Sequence, residues 1–219
     1  MTADMLLGLP NSMSAAGTSL VLQAVWLVFA FGVRAAIQRR RTGDLGFRIS
    51  PEHLWSLRWF AHVAFVVALV LGAVAPGLAL DGGRGATAPL GALDHGAVVA
   101  IGLLLAGLGV IGTFLAQLAM GDSWRIGVDA SERTGLVDRG VFGVIRNPIF
   151  SAMLLTSIGL ALMVPSALAL AGLVILLGAL EVQVRMVEEP YLRRVHGAAY
   201  DRYTAMAGRF VPAVGRSRA

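Results

Sequence analysis

Charged side chains gather in one stretch of the sequence, EVQVRMVEEPYLRRVHGAAYDRY, which covers residues 181–203 and follows directly on the apolar run ALALAGLVILLGAL. On a helix, Glu181, Arg185, Glu188 and Glu189 occupy positions i, i+4, i+7 and i+8, so they share one face. Two interpretations are open. The acids pair with Arg185 near a membrane interface, or the face lines a pocket for a charged ligand. Pairing alone leaves an excess of negative charge, because three carboxylates surround one guanidinium.

A second polar stretch, GDSWRIGVDASERTGLVDRGVFGVIRNPIF, covers residues 121–150. Pro148 suits the first turn of a helix, since its missing N–H would be unpaired there, and Asn147 is a suitable capping residue. Such a helix start also presents backbone N–H groups that can receive a carboxylate or a phosphate. The glycines upstream of it do not form the G-x-G-x-x-G pattern after a strand, so a Rossmann nucleotide fold is not supported.

Aromatic residues follow the charged stretch at helical spacing. His196, Tyr200 and Tyr203 lie at i, i+4 and i+7, which predicts an amphipathic helix with an aromatic face. This face either anchors the helix at the membrane interface or contacts a substrate. Gly197 lies within the predicted helix and weakens it.

The composition is that of an integral membrane protein. Of the 219 residues, 57% are hydrophobic and 14% are charged, whereas a soluble domain has about 25% charged residues. The absence of cysteine excludes disulfides and thiolate metal sites, and the four histidines are too scattered to predict a metal centre. The net charge of +5 comes entirely from arginines. Their position beside apolar segments explains this charge through anionic headgroups, so we expect no nucleic-acid partner.

We predict an all-α polytopic membrane protein, because five apolar segments approach the roughly 20 residues that cross a bilayer. The segments cover residues 18–37, 59–80, 93–120, 149–163 and 165–182. Only VPS joins the last two, which predicts a tight helical hairpin, and a cytoplasmic helix follows it. The arginines concentrate in the loops at 39–58 and 121–148 and in the C-terminal tail, whereas the loop after the second span has only Arg84. By the positive-inside rule, the N-terminus is outside and the C-terminus is cytoplasmic.

Small residues recur on one side of the third span. Gly102, Ala106, Gly109 and Thr113 lie at three- and four-residue spacing. Small residues in this arrangement allow two membrane helices to approach closely. The pattern therefore predicts a helix-packing surface.

Three pieces of the sequence carry a resemblance to a known family. The pieces are TGLVDRGVFGVIRNPIF before the hairpin, EEPYLRRVHGAAYDRY after it, and RFVP near the end. Together they resemble the integral membrane methyltransferases that include isoprenylcysteine carboxyl methyltransferases and phospholipid methyltransferases. The likeness covers about residues 121–212. It implies a three-helix membrane region at 1–120 and a methyltransferase-like region at 121–219, with a cofactor loop, the hairpin and a C-terminal helix.

The resemblance implies an S-adenosylmethionine-dependent methyltransferase that acts at the cytoplasmic membrane interface. The acceptor would be a lipophilic carboxylate, thiol or amine from the bilayer, with no metal. The catalytic residues it implies are Arg185, which faces the substrate, and Glu189, which pairs with Arg185. The cofactor-binding residues it implies are Arg125, Thr134, Gly135, Leu136, Val137, Phe142, Asn147, Pro148, Ile149, Phe150 and Glu188.

The sequence departs from the family pattern at four positions. Asn147 stands in place of a histidine, Phe142 and Phe150 stand in place of tyrosines, and Val141 takes a position often held by proline. Asparagine keeps a hydrogen-bond donor and acceptor but does not titrate, so acid–base catalysis at Asn147 is excluded. The phenylalanines keep apolar walls and lose two hydroxyls.

Two other functions remain open. An NADPH-dependent membrane reductase of related fold would use the arginine-rich loops to hold the phosphates. A non-catalytic membrane binding or scaffold protein would keep the fold without the chemistry. A reductase requires basic residues clustered within its pocket, whereas the face that carries Glu188 suits a sulfonium better.

Overall fold

The computed structural model describes residues 12–47, 55–125 and 135–217. Over these ranges the chain consists of helices and turns, with an isolated parallel bridge between Ile145 and Gly208 and no β-strand. The predicted all-α fold class is therefore confirmed.

Eight α-helices lie in the described part of the chain. They are α1 (Ser12–Leu27), α2 (Arg34–Thr42), α3 (Leu57–Leu80), α4 (Gly96–Ala119), α5 (Pro148–Met163), α6 (Ala167–Val182), α7 (Glu189–His196) and α8 (Ala198–Met206). Two π-helical segments, Val28–Val33 and Gln183–Glu188, connect α1 to α2 and α6 to α7. Short 3₁₀ turns cover Gly85–Thr87, Gly121–Ser123 and Gly140–Gly143.

Four helices are long and apolar enough to cross a membrane: Ser14–Thr42, Leu57–Leu80, Gly96–Ala119 and Ala167–His196. The first and last include the π segments and reach 29 and 30 residues, more than the roughly 20 that a bilayer requires. The fourth predicted span, 149–163, corresponds to α5, which is apolar but has only 16 residues, or about 24 Å of helix. Its role as a full span stays a prediction.

One compact unit contains the described residues up to Leu27 together with Val63–Ile111 and Ala152–Ala179. In this unit α4 and α5 approach so closely that glycine is required. A Cβ on Gly102 would lie 2.7 Å from the Gly159 carbonyl oxygen, and one on Gly109 would collide with the backbone of Thr156. The packing surface predicted for α4 is thus present, with α5 as its partner.

The second compact unit contains Val28–His62, Gly112–Ser151 and Leu180–Ala219. Two side chains join the first π segment to the end of α4. Gln117 Nε2 donates to the Ala30 carbonyl at 3.0 Å. The fully buried Arg34 donates to the carbonyls of Gln117 at 3.3 Å and Gly121 at 2.6 Å. Helix ends leave carbonyls without intrahelical partners, so Arg34 fixes the point where the chain leaves α4.

The two units interleave along the sequence. The predicted division at residue 120 describes a methyltransferase-like region, not a compact unit. It stays a prediction.

Candidate functional site

Glu189, at the start of α7, lies between two arginines. Its carboxylate accepts hydrogen bonds from Arg146 Nη2 at 3.0 Å and from Arg209 Nε and Nη2 at 2.7 and 3.0 Å. Only 8% of Glu189 is exposed. We call Arg146, Glu189 and Arg209 the Glu189 cluster. The contact between Glu189 and Arg209 is bidentate, which is a strong arrangement for a carboxylate and a guanidinium. These hydrogen bonds raise the pKa of Arg209.

Arg146 extends this cluster to the backbone of the C-terminal segment. It donates from Nη1 to the carbonyls of Thr204 and Ala207, and from Nη2 to the carbonyl of Gly215 at 3.0 Å. Its backbone N–H donates to the Gly208 carbonyl at 2.7 Å. The segment that precedes α5 is therefore bound to the segment that follows α8.

Asn147 continues this connection. Its backbone N–H and its Nδ2 both donate to the Arg209 carbonyl, at 3.1 and 3.2 Å. One turn later, Ser151 Oγ donates to the Phe210 carbonyl at 2.6 Å. Helix α5 begins at Pro148, as predicted, and the amide of Asn147 serves to hold the C-terminal segment.

Tyr200 and Tyr203 form a buried aromatic pair near the Glu189 cluster. Both are buried, their ring centroids lie 6.1 Å apart, and Leu136 packs against them. The Tyr203 hydroxyl donates to the Phe142 carbonyl at 2.7 Å. Burial raises the pKa of Tyr200 to about 12 and raises that of Tyr203 further.

The predicted helix through these tyrosines is interrupted. Gly197 adopts φ 51°, a left-handed value that favours glycine, so α7 ends at His196 and α8 begins at Ala198. The aromatic face of α8 packs into the protein, not against the membrane. The interfacial anchor considered from the sequence is therefore wrong for Tyr200 and Tyr203.

A second polar group lies around Glu188. Gln183 Nε2 donates to Glu188 Oε1 at 3.2 Å; their spacing of five residues is that of a π-helix. Arg125 Nη2 lies 3.4 Å from the Tyr191 hydroxyl, and the positive charges of Arg125 and Arg58 act on Glu188. We call Gln183, Glu188, Arg125 and Tyr191 the Glu188 group. Within the described residues, Gln183 Oε1 is buried without a hydrogen-bond partner.

The π segment divides the charged face predicted from the sequence. Arg185 forms an ion pair with Glu181 and 54% of its side chain is exposed. Glu188 contacts Gln183, and Glu189 contacts the two other arginines. The expected pair between Arg185 and Glu189 is therefore wrong, because the π segment changes the helical register between Glu181 and α7.

The other residues implied to bind a cofactor lie on both sides of the 3₁₀ turn at Gly140–Gly143. Phe142 is buried within this turn. Gly135, Leu136 and Val137 precede the turn and lie in irregular structure. Pro148, Ile149 and Phe150 follow it and form the first turn of α5. Thr134 lies outside the described residues.

Sequence reasoning missed Arg146, Arg209 and Gln183. Arg146 directly precedes the NP pair of RNP, and Arg209 opens RFVP, so both were in quoted motifs without an assigned role. A physical argument could have predicted the role of Arg146. A guanidinium at the start of an apolar helix needs a carboxylate when it is buried, and the neighbouring pair of glutamates could supply one.

Two comparisons with known proteins find a similarity to methyltransferases. The family model described as phospholipid methyltransferase matches residues 97–199, slightly under half of the chain. The structure of the eukaryotic intramembrane Ras methyltransferase ICMT (isoprenylcysteine carboxyl methyltransferase) is similar, with a TM-score of 0.63 and 19% identity. The likeness covers 95% of this chain and 70% of that one; at such identity it concerns the fold. Curated protein sequences give no match.

Proposed function

We propose that this chain is a membrane methyltransferase that transfers a methyl group from S-adenosylmethionine to a lipophilic acceptor at the cytoplasmic membrane interface. The phospholipid methyltransferase model, which matches residues 97–199, supports this proposal. The Glu188 group is the observation that carries this proposal. It lies entirely within the matched region and brings together an acid, an amide, a guanidinium and a phenol.

The residues of the Glu188 group fit the chemistry of this cofactor. S-adenosylmethionine supplies an activated methyl group on a sulfonium, and it also carries an ammonium and a carboxylate. Glu188 is the acid for the positive groups, and Arg125 is the cation for the carboxylate. Gln183 Oε1, buried without a hydrogen-bond partner among the described residues, offers an acceptor to the ammonium. The half-buried Ile149 and Phe150, with the half-buried Leu136 and Val137, would supply apolar contacts to the adenine.

Methyl transfer needs positioning more than a protein nucleophile. The acceptor atom forms its bond to the methyl carbon as the sulfur–carbon bond breaks, and the bond's electron pair stays on sulfur to give neutral S-adenosylhomocysteine. A carboxylate acceptor releases no proton in this step. The protein contributes by aligning the two partners and by keeping water out.

Arg185 and Glu189 take different roles in this proposal. Arg185 is exposed beside Glu181, and we assign it to the orientation of an anionic acceptor. Both carboxylate oxygens of Glu189 are already bound to arginines. We therefore assign Glu189 a positioning role, because its ion pairs join the start of α7 to the segment before α5.

The orientation in the membrane is also proposed. Arginines surround the ends of the apolar helices that lead into the Glu188 group, whereas the loop after α3 has only Arg84. The positive-inside rule then places the Glu188 group and the C-terminus on the cytoplasmic side and the N-terminus outside. S-adenosylmethionine in the cytosol would have direct access to this side.

Calorimetric titration of the detergent-purified full chain with S-adenosylhomocysteine tests the proposal. Glu188→Gln removes the charge and keeps the shape. We expect it to weaken binding roughly tenfold or more, because a hydrogen bond to a charged group contributes about 1.5–3 kcal/mol. Glu181→Gln is the matched control, since it removes an exposed carboxylate from the same helical stretch, and it should bind as the unchanged protein does.

Other outcomes of the titration would reject the proposal. Absence of saturable S-adenosylhomocysteine binding would favour a non-catalytic binding protein. Saturable binding of NADPH alone, in a parallel titration, would favour a reductase. Equal losses in Glu188→Gln and Glu181→Gln would refute the assignment of Glu188.

A further inference from the structure

An open groove follows one face of the helix that contains the first π segment and α2. Gly32, Ala35, Ala36, Arg39 and Arg40 line it, and they occupy positions i, i+3, i+4, i+7 and i+8, which is one helical face. Leu45 borders it after the turn that ends α2. The groove has a volume of about 530 Å³, within the roughly 300–1,000 Å³ typical of small-molecule sites. We call it the α2 groove.

Contacts on the opposite side of α2 fix the direction of the groove. The buried Arg34 and Gln38 donate to the carbonyls of Gly121 and Asp122, at 2.6 and 2.9 Å. These bonds hold one face of α2 against the chain that leaves α4. On the groove face, Gly32 and Ala36 are exposed and Ala35 is buried; because none of the three has a side chain larger than a methyl group, the face leaves room along the helix.

The polar end of the α2 groove is positively charged. Arg39 and Arg40 are both exposed, and in the described part of the chain neither has an ion-pair partner. Their neighbour Arg41 differs, since its Nη1 lies 3.9 Å from Asp122. None of the residues that line the groove is acidic. Two adjacent guanidinium groups in this setting favour a phosphate, which they bind through several parallel N–H donors.

The groove also lies at the depth where lipid headgroups occur. The helix from Ser14 to Thr42 has 29 residues, about 43 Å at 1.5 Å per residue, and so exceeds a hydrocarbon core of roughly 30 Å. Its apolar part ends near Arg34, and Arg39 and Arg40 lie more than one turn beyond. The small residues of the groove therefore adjoin the hydrocarbon while its arginines reach the headgroup layer.

We propose that the α2 groove binds one anionic phospholipid, with the phosphate on Arg39 and Arg40 and an acyl chain along the exposed Gly32 and Ala36. An anionic phospholipid fits the groove because its phosphate matches the charged arginine end and its acyl chain matches the apolar part. A free phosphate would fill only the arginine end and leave the apolar part empty. The site shares no residue with the Glu188 group, so the lipid is a ligand separate from the methyl acceptor.

Native mass spectrometry of the detergent-purified full chain tests this site. The protein is titrated with phosphatidylglycerol and, in parallel, with phosphatidylcholine that has the same acyl chains. We expect one phosphatidylglycerol to bind more tightly than any phosphatidylcholine. The double variant R39Q/R40Q should weaken that binding roughly twenty- to thirtyfold, since each arginine near a headgroup contributes about 1 kcal/mol, or fivefold. The control R202Q/R216Q removes the same charge from two exposed arginines elsewhere and should change binding less than twofold.

A second variant tests the apolar part. Ala36→Trp fills the groove at an exposed position without changing the charge, and we expect it to weaken phosphatidylglycerol binding at least fivefold while circular dichroism stays unchanged. Equal affinity for the two lipids, or equal losses in both double variants, would overturn the proposal. So would full competition by millimolar inorganic phosphate, or unchanged binding in Ala36→Trp. None of these outcomes depends on S-adenosylhomocysteine binding.

Discussion

Replacing Glu189 with glutamine tests whether the Glu189 cluster holds the C-terminal segment. The substitution keeps an acceptor oxygen in nearly the same place and removes the charge that serves Arg146 and Arg209. Two of the three hydrogen bonds then reach an uncharged amide oxygen, and the third is lost because the amide nitrogen of glutamine is itself a donor; each change costs roughly 1 kcal/mol. Arg146, whose side chain is 3% exposed, is left buried without a countercharge, and breaking such a pair typically costs about 3–5 kcal/mol. We therefore expect a loss of about 3 kcal/mol.

Thermal unfolding in detergent and limited proteolysis measure this loss. For a chain of this length, 1 kcal/mol shifts Tm by roughly 2–4 °C, so Glu189→Gln should lower Tm by about 6–12 °C. Proteolysis should release fragments from the end of α8 and the segment after it, which Arg146 holds through the backbone carbonyls of Thr204, Ala207 and Gly215.

The matched control is again Glu181→Gln, which breaks an ion pair between largely solvent-accessible side chains. Exposed pairs contribute about 0–1 kcal/mol, so this variant should shift Tm by less than about 3 °C. Equal shifts in Glu181→Gln and Glu189→Gln would refute the structural role of the Glu189 cluster. Unchanged proteolysis of the C-terminal segment would refute it as well.

Three further predictions concern other parts of the protein. Gly109→Ala should destabilise it by about 2 kcal/mol or more, since the new methyl group collides with the Thr156 backbone; Gly107→Ala, where the methyl group enters open space, should not lower Tm. Tyr200 should ionise near pH 12 in an absorbance titration at about 295 nm. Its neutral form stabilises the fold fully below the unfolded pKa of about 10, so this stability should decline as the pH rises from 10 to 12; ionisation near pH 10 in the folded protein would contradict the burial. Arg185→Ala should leave calorimetric S-adenosylhomocysteine binding unchanged, because Arg185 pairs with Glu181 and not with the Glu188 group; a tenfold loss would assign it to the cofactor instead.

The membrane helices were predictable because their signal is local. A run of apolar residues identifies α3 and α4 wherever they lie in the fold, and Pro148 marks the start of α5 through its own missing N–H. The small residues of α4 indicated a close contact but could not identify the partner helix. That partner is α5, some 50 residues further along the chain.

The Glu189 cluster was not predictable in the same way. Glu189 is 43 residues from Arg146 and 20 from Arg209, so no periodic pattern connects the three. The spacing of four between Arg185 and Glu189 favoured a local ion pair that the π segment removes. For Tyr200 and Tyr203, an amphipathic pattern shows which face is apolar, and it does not distinguish lipid from protein as the surface that covers this face.

The π segment Gln183–Glu188 determines the direction in which the side chains after it face. A π turn accommodates one more residue than an α turn, and each residue of an α-helix turns the chain by about 100°. If the same six residues formed a regular α-helix instead, the surplus residue would rotate everything after it by about that angle. Glu189 would then turn away from Arg146 and Arg209, although no residue of the Glu189 cluster had been replaced. The phase of α7 relative to α6, set by a single surplus residue, decides which of two neighbouring glutamates contacts Gln183 and which contacts the arginines.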